Sequence, residues 1–291
     1  MKVVYGHTDS IYCKVDSVEE AKKNMNIINE HVRQLFPNVM GLNEHPVSLE
    51  FEKYFESLGV GCVKNRNAGL ITWKDGEYLT EKQFTMTGFT AKRVSITKLA
   101  KETQLKVLHM WVENKSEAEI VDFLSDKYNE VISGHIKINE ILKRSRYREE
   151  RFKVKCTNCK RKNTFGSLIS HGACCNAMNI QTLAGKRPTI GAGIEGVVYY
   201  NSKNVNKIDD SYLYCRIADC KDTYLHPIKQ EATIPNYVSG LTEEDFTDYT
   251  PDWKHYAESV VKKAEPVFKA MGWNVQQIMR DTNERSLTEW F

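Results

Sequence analysis

Strand-forming residues open the chain in two short runs, residues 3–5 and 11–15, on either side of a polar "GHTDS". Short β-rich runs flanking a polar turn predict a hairpin. The period then changes. Ser17-Val-Glu-Glu20 reads as a capping box, and Ala21, Met25, Ile28, Val32 and Leu35 follow at helical spacing. Strands are expected again in "PVSLEFEKYF" and "GVGCV", and "GLITWKDGEYLT" predicts a hairpin turning at Asp75-Gly76. From about Ser95 the helical period takes over, in "ITKLAKETQLKVLHMWVE" and "SEAEIVDFLSDKYNEVISG". Farther on, a helix is expected through "CCNAMNIQTLAG", a strand at "IEGVVYY", an acidic polar stretch around residues 242–252 and a last helix over 253–271. No internal repeat or low-complexity tract interrupts the pattern. The expected organisation is an N-terminal α/β part and a mostly helical C-terminal part, with the boundary near residue 105.

The composition, 41% hydrophobic and 27% charged over 291 residues, fits an ordinary globular protein with one large or two smaller cores. No apolar run approaches the ~20 residues of a membrane span, and the N-terminus carries no apolar signal segment, so a cytoplasmic protein is expected. The eight cysteines therefore point to buried thiols or metal before disulfides, with Cys13 and Cys62 isolated in strand-like runs.

The net charge of +3 conceals an asymmetry. Residues 143–162 hold ten Lys or Arg against two Glu, a local +8, which leaves −5 for the rest of the chain. Such a block suits a polyanion, although a solvated face would look the same.

Two patterns suggest cofactors. Gly191-Ala-Gly193-Ile-Glu-Gly196 fits the spacing of a dinucleotide fingerprint, but that motif must open a helix, and "VVYY" after it reads as a strand. No dinucleotide is expected. Cys156-Thr-Asn-Cys159, with Cys174 or Cys175, or with Cys215 and Cys220, would supply four thiolates for Zn²⁺. Adjacent cysteines rarely share one ion, so zinc and buried thiols both stand.

"YGHTDS" resembles motif C, Tyr-x-Asp-Thr-Asp-Ser, of the family B DNA polymerases. "SLEFEKYF", "KNRNAGL", "GFTAKRVSITKLAKETQ" and "DWKHYAESVVKKAEPVFKAMGW" follow in the order of that family's palm and thumb segments. The resemblance implies an α/β fold: the C-terminal part of a palm, an antiparallel sheet with helices over residues 1–105, then a mainly helical thumb over 106–275. It implies that Asp9 holds Mg²⁺ for nucleotidyl transfer from a dNTP to a primer end, a chemistry that two metals serve. Glu52, and with it Glu50, would stand beside the metals. Both glutamates would lie on one face of one strand. Lys64, Arg66 and Arg93 would meet primer–template DNA, joined by Lys143, Arg144, Arg146 and Arg148 of the basic block. His171 matches a thumb histidine that needs no metal.

The departures from the pattern are specific. His7 replaces the first motif C aspartate, Asn65 and Asn67 replace a lysine and a tyrosine, and Val94 replaces a basic residue. The tail, residues 276–291, ends in "SLTEWF", where Leu287, Trp290 and Phe291 resemble the box by which replication proteins bind a sliding clamp. Motif A, the fingers and an exonuclease domain have no counterpart in these residues. The resemblance thus implies the small subunit of a split, heterodimeric archaeal family B polymerase, nucleoid-associated and completed by a larger chain. A non-catalytic structural subunit, favoured by His7, and a zinc-containing nucleic-acid-binding module remain as alternatives.

Overall fold

The opening hairpin forms from β1 (Lys2–His7) and β2 (Ser10–Lys14), paired antiparallel with His7 opposite Ser10. A computed structural model describes residues 2–7, 10–93, 96–147, 154–158, 162–163, 180–182, 185, 189–226, 229 and 231–279. The chain divides into two units. The first comprises Met1–Phe89, Leu105–Ile120 and Ala264–Asn274; the second comprises Thr90–Gln104, Val121–Lys263 and Val275–Phe291.

In the first unit, Ser17 caps α1 (Val18–Leu35), its hydroxyl accepting from the Glu20 amide at 3.0 Å. Glu20 reaches back one residue beyond the cap and accepts from the Asp16 amide at 2.8 Å. A three-stranded antiparallel sheet follows in the order β3 (Lys53–Val60), β4 (Asn67–Lys74), β5 (Glu77–Thr87). The β4–β5 turn has φ of 51° at Asp75 and 102° at Gly76, the two positive values of a type I′ hairpin turn. Against this sheet α1 sets Lys22 over the Trp73 ring, 5.2 Å from its centroid. Asn29 bonds Leu49 through both its amide groups, at 2.8 and 2.7 Å. Gly59 leaves room for the Trp111 indole, where a Cβ would come within 2.5 Å.

Two helices continue the chain, α2 (Lys98–Val112) and α3 (Glu117–Ile132), as their periodicity predicts. The second unit adds α4 (Ile138–Ile141) and β6 (Lys143–Arg146). A small antiparallel sheet joins β7 (Val154–Cys156) to β8 (Lys162–Asn163) and β9 (Ile180–Thr182). The strand at Ile180–Thr182 falls inside the segment expected to be helical. Conversely, the expected strand "IEGVVYY" lies in a helix, α5 (Ala192–Lys203). Its β-branched and aromatic run favours a strand locally, but packing overrides propensity. Gly193 and Gly196 lie on one helix face, where a Cβ would collide with the Tyr212 hydroxyl and with Ser239 and the Val238 backbone.

That helix covers a second antiparallel sheet, whose order is β13 (Tyr237–Gly240), β10 (Ser211–Arg216), β6. Between them, β11 (Tyr224–Leu225) pairs with β12 (Ala232–Thr233). The core of this unit gathers Leu99, Val131, Ile141, Tyr199, Cys215, Val238, Phe246, Tyr256 and Val260. The expected last helix is two, α6 (Trp253–Val261) and α7 (Glu265–Met271). Pro266 stands in the first turn of α7, the position where a missing N–H costs nothing, and so marks a new start rather than a continuation. The fold is mixed α/β with antiparallel sheets. Among the described residues no helix is long and apolar enough to cross a membrane.

Candidate active site

Tyr5 and Tyr12 face each other across the opening hairpin, with ring centroids 5.3 Å apart and planes tilted by 55°. Tyr12 in turn meets Phe55 of β3 at 6.0 Å. From the same hairpin the Tyr5 hydroxyl donates to Asn65 Oδ1 at 3.2 Å. Asp9 follows His7 by two positions and lies outside the described residues.

Asn65 belongs to the turn between β3 and β4 and has φ of 64°. Left-handed backbone suits asparagine better than most side chains, because its short amide bonds locally. The turn is closed by the Gly61 amide on Arg66 O at 2.8 Å and by the Arg66 amide on Val63 O at 3.2 Å. Behind it stands Gly88, whose Cα abuts the Asn65 carbonyl. Lys64, on one side of Asn65, is exposed; Arg66, on the other, is half-buried. A rigid turn thus carries two cations and is bonded to the hairpin.

Glu50 and Glu52 do not sit on a strand. β3 begins at Lys53, after both of them. The segment is held instead by the Asp75 amide, which bonds the Glu52 carbonyl at 3.1 Å, and by the paired bonds from Asn29 to Leu49. Both glutamates are exposed, and Glu52 Oε1 lies 3.0 Å from Lys53 Nζ. "PVSLEFEKYF" and "GVGCV" therefore collapse into one strand.

In the second unit β6 is an edge strand, and its residues alternate. Arg144 and Arg146 are exposed, while Lys143 is half-buried opposite Tyr214, its Nζ 6.0 Å from that ring's centroid. Burial, and then the neighbouring Lys263, hold the Lys143 ammonium below its ordinary pKa. Nearby, Arg216 Nε pairs with Asp252 Oδ2 at 2.9 Å. Burial, followed by the Arg216 charge, lowers the pKa of His255. Arg93 is exposed; Arg148 and Val94 lie outside the described residues.

Sequence reasoning missed Gln104. Only 2% exposed, its Oε1 accepts from the Ala91 amide at 2.7 Å and the Thr90 hydroxyl at 2.9 Å, and its Nε2 donates to Lys263 O at 3.0 Å. The final residue of "LAKETQ" thus pins the entry to α2. The available signal was a polar residue at a core position, four residues after Ala100 and four before Leu108.

The zinc ligands divide in the same way. Cys156 is buried on β7, whereas Cys159, Cys174, Cys175 and His171 lie outside the described residues. Cys215 packs in the apolar core, and burial pushes its thiol up to about 12, an environment hostile to a thiolate ligand. Cys220 is half-buried with its Sγ 3.6 Å from the Tyr199 hydroxyl. Leu287, Trp290 and Phe291 also lie outside the described residues.

The family model described as DNA polymerase family B matches residues 1–238. The chain belongs to DNA polymerase family B. No curated protein matches it. The family match takes in the hairpin, the Lys64–Arg66 turn, Gln104 and β6; residues 239–291 lie beyond it. Family B polymerases generally use divalent metals. Among the described residues no three His, Cys, Asp or Glu side chains gather as a metal site. Glu52 is a hard oxygen donor of the type Mg²⁺ takes, but one exposed carboxylate paired with Lys53 does not make a metal site among the described residues. The glycine pattern at 191–196 does open a helix, contrary to the sequence reading. Its glycines are nevertheless occupied by packing onto an antiparallel sheet, so the motif gives no dinucleotide cradle.

Proposed function

We propose that this chain supplies the motif C hairpin and the thumb of a DNA-directed DNA polymerase, with the remainder of the palm, the fingers and a proofreading domain carried by a larger partner chain. The observation that carries this reading is the state of the hairpin. Among the described residues it forms a two-stranded sheet, exposes Val3, Val4 and Ile11, and is bonded through Tyr5 to the cationic turn. Two strands alone are marginal in water, and open edges beside exposed apolar side chains call for further strands to cover them. Leu35, Phe36, Val39 and Met40 extend the uncovered apolar surface of the same unit.

Asp9 and Glu52 would hold Mg²⁺ together with carboxylates of the partner. When bound, the metal neutralises charge that develops on the transferred phosphoryl group. Lys64 and Arg66 would hold the primer–template duplex, while Arg93, Lys143, Arg144, Arg146 and Arg148 follow its phosphates. Leu287, Trp290 and Phe291 would dock on a sliding clamp. Cys156 and Cys159 would be the first pair of any zinc site. A structural subunit without catalytic duty is the second reading, favoured by His7 where the family has a carboxylate. Primer extension by the reconstituted complex, with and without Asp9→Asn, separates the two.

A further inference from the structure

The bond between Tyr5 and Asn65 joins two elements with different duties under the polymerase reading, on which this inference rests. One is the hairpin that carries the candidate metal ligand; the other is the turn that presents Lys64 and Arg66 to DNA. We infer that Tyr5 and Asn65 are positioning residues, and that engagement of DNA by the turn fixes the hairpin through their hydrogen bond.

The bond gives the hairpin a directional tie to the turn. The hairpin is held from its apolar side by the Tyr5–Tyr12–Phe55 ring contacts, which are tilted and non-directional. The Tyr5–Asn65 bond is a directional contact from the hairpin to the turn. Its acceptor end is stiff: Asn65 is set by a positive φ, by the Gly61–Arg66 bond around it and by Gly88 against its carbonyl. Because Asn65 is flanked in sequence by Lys64 and Arg66, a groove or phosphate contact made by either cation acts on the residue that bonds the hairpin. The hairpin end is the soft one, since two strands alone open readily.

The polarity of the bond depends on the side chain at position 65. Asn65 Oδ1 accepts and Tyr5 donates. A lysine at position 65 carries only donors, so a bond of this polarity requires asparagine or another acceptor. Asparagine also suits the left-handed backbone at this point, which is why one residue serves both purposes.

Hydrogen exchange of the full 291-residue chain, alone and with a primer–template duplex, tests the inference without requiring turnover. In the wild type, DNA should slow amide exchange both in residues 61–66 and across β1 and β2. Tyr5→Phe removes one hydroxyl and should speed hairpin exchange roughly 2- to 10-fold in the free chain, the worth of one hydrogen bond. Its DNA affinity should fall by no more than the factor by which DNA slows hairpin exchange in the wild type, since it removes no phosphate contact and the coupling is reciprocal. The turn should still be protected by DNA, and the hairpin should no longer be. Asn65→Gly should behave like Tyr5→Phe, and Asn65→Asp, which keeps an acceptor, should restore the coupling. If Tyr5→Phe speeds hairpin exchange by the same factor with and without DNA, the bond is merely structural and the inference fails. Turn protection with an unaltered wild-type hairpin also overturns it. A chain that binds no DNA overturns the polymerase reading and this inference together.

Discussion

The carbonyl of Asn65 lies against the Cα of Gly88, closer than any side chain on residue 88 would allow, and Gly88 has φ of 75°. The cationic turn is therefore buttressed by a residue more than twenty positions away. Gly88→Ala should destabilise the protein by about 2–4 kcal/mol, combining a left-handed backbone with an overlap that the Asn65 backbone cannot relieve. Gly76→Ala is the control, because its φ is 102° with nothing within 4 Å of the added carbon. It should cost only about 1–2 kcal/mol from strain. Urea unfolding midpoints of the two variants check the difference.

The cysteines should separate by reactivity. Cys62 is exposed, while Cys215 is buried with its thiol raised from an ordinary 9.0 up to about 12. An alkylating reagent near pH 8 should label Cys62 and leave Cys215 untouched until the protein unfolds. Burying the neutral thiol stabilises the fold fully below about pH 9, and that contribution is lost as the pH climbs toward 12. Mass spectrometry of the labelled peptides decides it.

At the start of α3 the sign is opposite. The Lys115 ammonium, then the Ser116 amide and hydroxyl, lower the Glu119 carboxyl from 4.5 to about 2. A depressed pKa contributes stability above the unfolded value and loses it as the pH falls through the folded one. The thermal midpoint of Glu119→Gln should lie below the wild type near neutrality. The gap should close between pH 4.5 and about 2.

Much of this organisation was legible in the sequence because local chemistry decided it. Ser17 caps α1, Asp75-Gly76 turns the β4–β5 hairpin, and the apolar periods of α2 and α3 run where they should. Where distant contacts decide, the pattern misled. The Val197–Tyr200 run looks like a strand until Gly193 and Gly196 are seen to seat it on Tyr212 and Ser239. Glu50 and Glu52 alternate as strand residues do, but the bonds from Asn29 and Asp75 hold that segment ahead of β3. Gln104 was hidden for the same reason, since its partners at Thr90, Ala91 and Lys263 are not adjacent in sequence. Of the candidate site, the cations and the turn are described, and the carboxylate of Asp9 is read from sequence alone.

Binding to DNA should be largely independent of sequence and should weaken steeply with salt. Neutralising Lys64, Arg66, Arg144 and Arg146 to Gln should reduce the slope of log K against log salt by about 0.9 for each phosphate that the variant no longer neutralises. An unchanged slope would assign these residues to a solvated face. Fluorescence titration of a labelled duplex at several salt concentrations measures it.

The uncovered hairpin and its neighbouring apolar residues should be matched by a partner. Purification from the native source should yield a 1:1 complex with a larger polymerase chain, identified by mass spectrometry. Charged substitutions at Val3 and Ile11, which are 57% and 50% exposed, should weaken that complex without unfolding the rest of the chain.

The central claim is that this chain contributes a metal-holding carboxylate to nucleotidyl transfer, and primer extension by the reconstituted complex tests it most directly. Asp9→Asn should lower the rate of nucleotide addition by at least about a thousandfold, the scale of several kcal/mol of transition-state stabilisation, while primer–template affinity stays nearly unchanged. His7→Ala should cost far less, and His7→Asp should be tolerated. Near-normal turnover with Asp9→Asn would contradict the account and leave the chain a structural subunit.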